Sequence, residues 1–148
     1  MSGETLKLQA KLRRLAIGRD KVAKSIGDAV LARVQAGFDS QSAPDGEPWK
    51  PKYDGGPALT NVRGTYSVEE ATADRVKIGT SFPWAEVHAH GAEIKPVSAR
   101  ALSFSTAGVF SMHATLPPRP QLPSGRLPSD WSEDAARAAK AAMREALE

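Results

Sequence analysis

The chain has 148 residues, 41% of them hydrophobic and 25% charged, which is room for one soluble domain around one core. It contains no Cys, which excludes disulfides and thiolate metal sites, and no apolar run near the roughly 20 residues a membrane helix needs. The net charge of +3 is unevenly placed: residues 1–36 carry eight Lys/Arg against three Asp/Glu, and residues 129–148 carry three against five. That polarity suits solvated helix faces of opposite sign, or a subunit that meets its neighbours through unlike ends.

The start of the chain, MSGETLKLQAK, has no secretory-type apolar stretch. Residues 4–37 read as one long helix, with Leu8, Leu12, Leu15, Val22, Ile26, Val30 and Val34 forming a stripe along one face. The stripe is interrupted at Arg19 beside Gly18, which predicts a kink or break there. Ser2 or Thr5 is placed to cap the start and Gly37 to end it. Such a helix would span about 50 Å at the usual rise. A domain of this size has a radius of gyration near ~15 Å, so the helix is expected to protrude or to lie along a neighbouring subunit.

Residues 38–74 read as an irregular arm. Asp45-Gly46 is a strong turn signal, and Gly55-Gly56-Pro57 reads as a hinge. Trp49 and Tyr53 are costly to leave in water, so part of the arm is expected to dock, with Trp49 as the interface candidate and Trp84 as the core tryptophan.

Residues 75–127 read as a sheet followed by a strap. Arg75 to Gly79 alternates with period two. Ala85 to His88 suits either a strand or a short helical turn, and Ala101–Phe104 and Val109–Met112 flank a hairpin connection at 105–108. The expectation is about four strands in one antiparallel sheet. From Thr115 to Leu127 the prolines Pro117, Pro118, Pro120 and Pro123 impose a stiff extended strap, with Arg119 set between two of them. Residues 129–147 return to an Ala-rich helix that Ser129 or Ser132 is placed to cap. The fold class is therefore α+β: a single domain of N-terminal helix (1–37), arm (38–74), sheet and strap (75–127), and C-terminal helix (128–148) packed on the sheet.

Catalytic signatures are weak. There is no GxSxG and no Walker or Rossmann glycine loop. On a strand, Glu86, His88 and His90 would share a face, a thin basis for a metal site. The basic side chains of the first helix, Lys7, Lys11, Arg13, Arg14, Lys21 and Lys24, offer an alternative role in nucleic-acid binding. No enzymatic activity and no cofactor are expected.

One resemblance draws these elements together. Phe38, Pro44-Asp45-Gly46, Trp49-Lys50-Pro51, Leu59 and a turn centred on Gly64 are followed by Val76 to Thr80 and Trp84 to His88 with Gly91. Ile94-Lys95-Pro96, Ala101 to Phe104 and Leu116 to Pro120 then precede the terminal helix. This order resembles the virion morphogenesis or tail-completion proteins of Mu-like and related tailed phages, over roughly residues 38–148. Two positions depart from the family pattern: Arg63 stands before Gly64 where Thr is usual, and Gln121 follows the Pro-Arg-Pro step where an aromatic is usual, which removes an apolar anchor from the strap. The resemblance implies a non-enzymatic structural subunit at the neck of the virion, at the head-proximal tail end, made in the host cytoplasm. It implies a homo-oligomeric ring, often a hexamer, contacting the tail tube protein and the head–tail connector, with no membrane role and DNA contact only in the channel. Asp45, Gly46, Trp49, Tyr53, Arg63, His88 and Arg119 are the interface candidates on this reading.

Overall fold

The computed structural model describes residues 3–104 and 109–148. The N-terminal stripe forms two helices, α1 (Gly3–Ile17) and α2 (Arg19–Ser40), with the break at Gly18. A Cβ on Gly18 would lie 3.1 Å from the Ala146 side chain, so the glycine lets the end of the C-terminal helix sit against the break. Helix α2 runs past Gly37 to Ser40 and ends at Gln41, whose φ of 54° is left-handed. Gly37 instead makes room for the returning chain, since a Cβ there would sit 3.0 Å from the Ser42 carbonyl, where the chain folds back over the helix end.

After the arm, a short 3-10 turn (Arg63–Thr65) leads into β1 (Tyr66–Ala71), which pairs antiparallel with β2 (Val76–Thr80). Strand β1 lies inside the segment expected to be irregular. Its alternation is hidden by a bulge between Val68 and Glu70, which puts an extra residue into the period. Residues 85–90 take the helical option as α3 (Ala85–His90), followed by β3 (Ala92–Ile94), β4 (Leu102–Phe104), β5 (Val109–Ser111), β6 (Ala114–Leu116) and α4 (Ser129–Leu147). The strands form three two-stranded antiparallel ladders, β1–β2, β3–β6 and β4–β5, in place of the one sheet expected. The hairpin connection at 105–108 and the capping role given to Ser2 lie outside the described residues. Pro128 occupies the N-cap position of α4, and no serine side chain caps it.

Helix α2 is the axis of the domain. The β1–β2 ladder covers one side of it and α4 another. Helix α4 thus takes a helix as its main neighbour, not a sheet. Gly27 allows the close approach to the ladder, since a Cβ there would meet the methyl groups of Val68 and Val76 at 3.0–3.1 Å. The core gathers Val34 and Phe38 from α2, Ala43 and Trp49 from the arm, Val62, Tyr66 from β1 and Trp131 from α4. Arg33 of α2 ties the outside of the helix pair together, donating to Asp134 at 2.6 Å and Asp130 at 3.0 Å. The hydrogen bond from Arg33 holds the Asp134 carboxyl below the usual range.

Candidate functional site

The arm and the strap, read from sequence as two separate irregular segments, close on each other to form one clasp. The arm is organised first by Gln41. Its side-chain amide donates to the Phe38 and Ala58 carbonyls at 2.8 and 3.0 Å, and its Oε1 accepts the Ala58 N–H at 2.6 Å. One side chain thus caps α2 and fixes the far end of the arm. Between those points Trp49 turns inward, its backbone N–H bonded to the Gln41 carbonyl at 2.7 Å and its ring edge-on to Phe38 at 5.3 Å.

The strap then crosses the arm. Trp49 Nε1 donates to the Pro120 carbonyl at 3.0 Å. Arg119 returns the connection: Nε donates to the Lys50 carbonyl at 2.8 Å and Nη2 to the Pro51 carbonyl at 3.0 Å. The prolines explain why a side chain makes this link. A proline strap has few backbone N–H groups, so the planar guanidinium supplies a fork of donors. The backbone N–H of Arg119 is bonded to the His88 carbonyl at 2.7 Å, which fastens the strap to α3. Gly91 makes room for the crossing, since at its φ of 75° a Cβ would stand 2.7 Å from the Leu116 carbonyl and 2.9 Å from Pro118 N.

Gln121 supplies a polar anchor at the position where the sequence lacks an apolar one. It is 4% exposed, accepts the Tyr66 hydroxyl at 3.0 Å and donates to the Arg119 carbonyl. The strap is thus anchored by a buried amide. Burial pushes the Tyr66 hydroxyl up to about 12, which keeps it protonated as the donor. Burial also lowers the Arg119 guanidinium, whose side-chain acceptors are carbonyls. His88 sits beside it with its ring 5.7 Å from Phe82 and its Nδ1 buried without a hydrogen-bond partner. Burial, then the Arg119 charge, holds this imidazole below its ordinary value.

The clasp therefore unites Trp49, His88 and Arg119 and leaves the other candidates apart. Trp49 is 6% exposed and Arg119 5%, so neither is a surface contact in the folded chain, while Trp84, expected in the core, is 62% exposed. Asp45 and Gly46 form one exposed tip of the arm, where Asp45 Oδ1 accepts the Glu47 N–H at 3.1 Å and Gly46 takes a φ of 91°. Tyr53 stands fully exposed at a second tip, in the turn closed by Lys52 and Gly56. Arg63 grips Asp39 at the end of α2 through two bonds of 2.9 and 3.2 Å. Because α3 is helical, His88 is turned away from the face that Glu86 and His90 share, and among the described residues no group of three or more His, Asp or Glu is placed to hold a metal. Among the same residues no helix is long and apolar enough to cross a membrane.

Gln41, Tyr66 and Gln121 organise the clasp without standing out in the sequence. The only signal for any of them is the departure at Gln121 from the pattern that the resemblance implies.

Comparisons with curated proteins and with solved structures found no match. The profile of the phage virion morphogenesis family does match, over residues 4–148, and with essentially the whole chain covered the protein belongs to that family.

Proposed function

We propose that the chain is a non-enzymatic structural subunit of the head-proximal tail end, completing the tail and joining it to the head as a homo-oligomeric ring, with a hexamer the form that matches a tail tube. Its partners on this reading are its own copies, the tail tube protein and the connector. Its final place is the neck of the virion, after synthesis in the host cytoplasm. Family membership supports the assembly role.

One observation carries the rest. Two separate elements expose large apolar side chains: α1, with Leu6, Leu8 and Leu12 each more than half exposed, and the β4–β5 ladder, with Phe110 at 71% and Met112 beside it at 69%. Among the described residues, neither element contributes to the core. A ring subunit needs two unlike surfaces, one for each neighbour, and large exposed apolar groups mark contact sites. The polar side chains of the clasp support a structural role in another way. Arg119, Gln121 and Gln41 are engaged in holding backbone groups. On this reading the two exposed arm tips, Asp45-Gly46 and Tyr53, are the surfaces assigned to connector or tube.

Electron microscopy of lysates from a phage lacking this gene tests the proposal. Filled heads beside separate or overlong tails are expected. Normal joined, infectious particles would overturn it, and binding to DNA that falls steeply with salt would then favour the basic first helix as a nucleic-acid element.

A further inference from the structure

His88 stands where α3, the strap and the arm meet. Its backbone carbonyl holds the Arg119 N–H at 2.7 Å. Arg119 in turn forks to the Lys50 and Pro51 carbonyls of the arm. The His88 ring lies against Phe82, and its Nδ1 is buried with no hydrogen-bond partner. In the charged imidazolium both ring nitrogens are donors, so protonation would leave a buried N–H without an acceptor, which is costly.

The charges around this ring oppose a proton as well. The strap brings Arg119, itself 5% exposed, whose side-chain acceptors are neutral carbonyls. The 80–84 segment brings Phe82 and no charged side chain. The arm brings its carbonyls, while the Lys50 and Lys52 side chains are exposed and Lys52 is paired with Asp54 at 3.5 Å. On α3 itself, Glu86 and His90 lie on the other side of the helix, where they line a cleft with Tyr66 and Leu122. No acid offsets either group: burial and Arg119 act on His88, and burial alone acts on Arg119.

From this geometry we infer that the clasp is a proton-operated latch. Protonation of His88 sets a second cation against the buried guanidinium, and the strap from Pro117 to Pro120 lifts off α3 and the arm while the α2 core stays folded. The bonds that break lie in one place: the Arg119 fork, the Arg119 N–H to His88, and Trp49 Nε1 to Pro120. The contacts of Phe38 with Trp49 and Tyr66, and the packing of α4 on α2, do not pass through His88. Opening is therefore a local event below global unfolding. In the lifted state both cations reach water, so the open form takes up the proton first as pH falls below about 6.5. It also exposes the guanidinium fork and the Lys50 and Pro51 carbonyls, which the closed clasp keeps from any partner.

Hydrogen exchange of the full-length chain, read by mass spectrometry between about pH 7.5 and 5, tests the latch. The prolines make the strap a clean reporter, because from Pro117 to Pro120 the only backbone N–H is that of Arg119. After correction for the intrinsic pH dependence of exchange, opening at Arg119 is expected to rise severalfold over that range. The ceiling is about 30-fold, set by an ordinary imidazole in the open form. Amides of α2 around Val34 are expected to keep their protection. His88→Gln, neutral throughout, should hold the Arg119 protection constant, and His88→Asn repeats the comparison with a shorter amide. Flat protection at Arg119 in wild type, or α2 amides that open in step with it, would overturn the latch without recourse to any variant. A rise of wild-type size in a folded neutral variant would overturn the assignment to His88.

Discussion

Replacing Trp49 by Ala separates a core role from a surface role more sharply than any other single change. The side chain is 6% exposed, edge-on to Phe38 at 5.3 Å and bonded through Nε1 to Pro120 at 3.0 Å. A buried Trp removes about 150–250 Å² from water, and Trp-to-Ala changes in cores cost about 3–5 kcal/mol. The aromatic pair adds about 1 kcal/mol beyond its area and the indole hydrogen bond another ~1 kcal/mol, so the upper part of that range, about 4–5 kcal/mol, is expected. Domains of this size are stable by roughly 7–15 kcal/mol in all. The variant should therefore fold, with roughly a quarter to two thirds of its stability gone. Urea unfolding followed by far-UV circular dichroism measures this without relying on the indole. Trp49→Phe serves as the control, keeping most of the apolar bulk and losing the bond to Pro120, with an expected cost of about 1–2 kcal/mol. If Trp49→Ala moved the urea midpoint no more than a surface substitution does, Trp49 would not be in the core, and the clasp as described would be wrong.

Four further outcomes follow from the same contacts. Arg119→Lys should cost about 1–3 kcal/mol in urea unfolding, because one ammonium cannot reproduce the planar fork to Lys50 and Pro51; equal stability of the two proteins would refute the fork. Gly91→Ala forces a φ of 75° on a residue with a Cβ and drives that atom into the Leu116 carbonyl, so a loss of about 2 kcal/mol or more is expected in the same assay. Tyr66 has its ionisation raised to about 12 in the fold, so the unfolded chain gives up the proton first. Its contribution is intact below about pH 10 and lost as pH climbs from there toward 12, by about 2–3 kcal/mol, and Tyr66→Phe should flatten that alkaline slope. His88 has the opposite sign. Its imidazole is held below the ordinary value by burial and Arg119, so its contribution is present above about pH 6.5 and lost as pH falls below it; a His88→Gln chain whose stability between pH 7.5 and 5 changed as much as wild type would remove His88 as the cause.

How much of this was legible depends on whether an element's signal is local. The helices were, since the stripe from Leu8 to Val34 and the Ala-rich terminal segment carry their own period, and Gly18 marked the break. Strand β1 was not, because the bulge at Glu69 breaks the alternation that would have announced it. The two tryptophans show the limit most clearly. Trp49 sits in a Pro/Gly arm that reads as surface and Trp84 beside a strand that reads as core, and the structure reverses both. Nothing within a few residues of Trp49 indicates that Pro120, far along the chain, closes over it. The clasp partners Gln41, Tyr66 and Gln121 were hidden for the same reason, since a buried amide is stabilising only through groups distant in sequence.

That reversal also changes where function is sought. An arm and a strap rich in Pro and Gly look like free segments waiting for a partner. Here each is the other's partner: Trp49 of the arm donates to Pro120 of the strap, Arg119 of the strap donates back to Lys50 and Pro51 of the arm, and Gln121 ties the crossing to Tyr66 and so to the β1–β2 ladder. Such a reciprocal lock gives an irregular region a rigid form without regular secondary structure, and it satisfies the carbonyls that prolines leave without ladder partners. What remains for other molecules is then set by subtraction. The arm offers tips at Asp45-Gly46 and Tyr53, and large exposed apolar groups fall on α1 and the β4–β5 ladder and at Trp84 and Val97. Substitutions inside the clasp should therefore lower stability and assembly together, whereas substitutions on α1 should lower assembly while the melting temperature stays put.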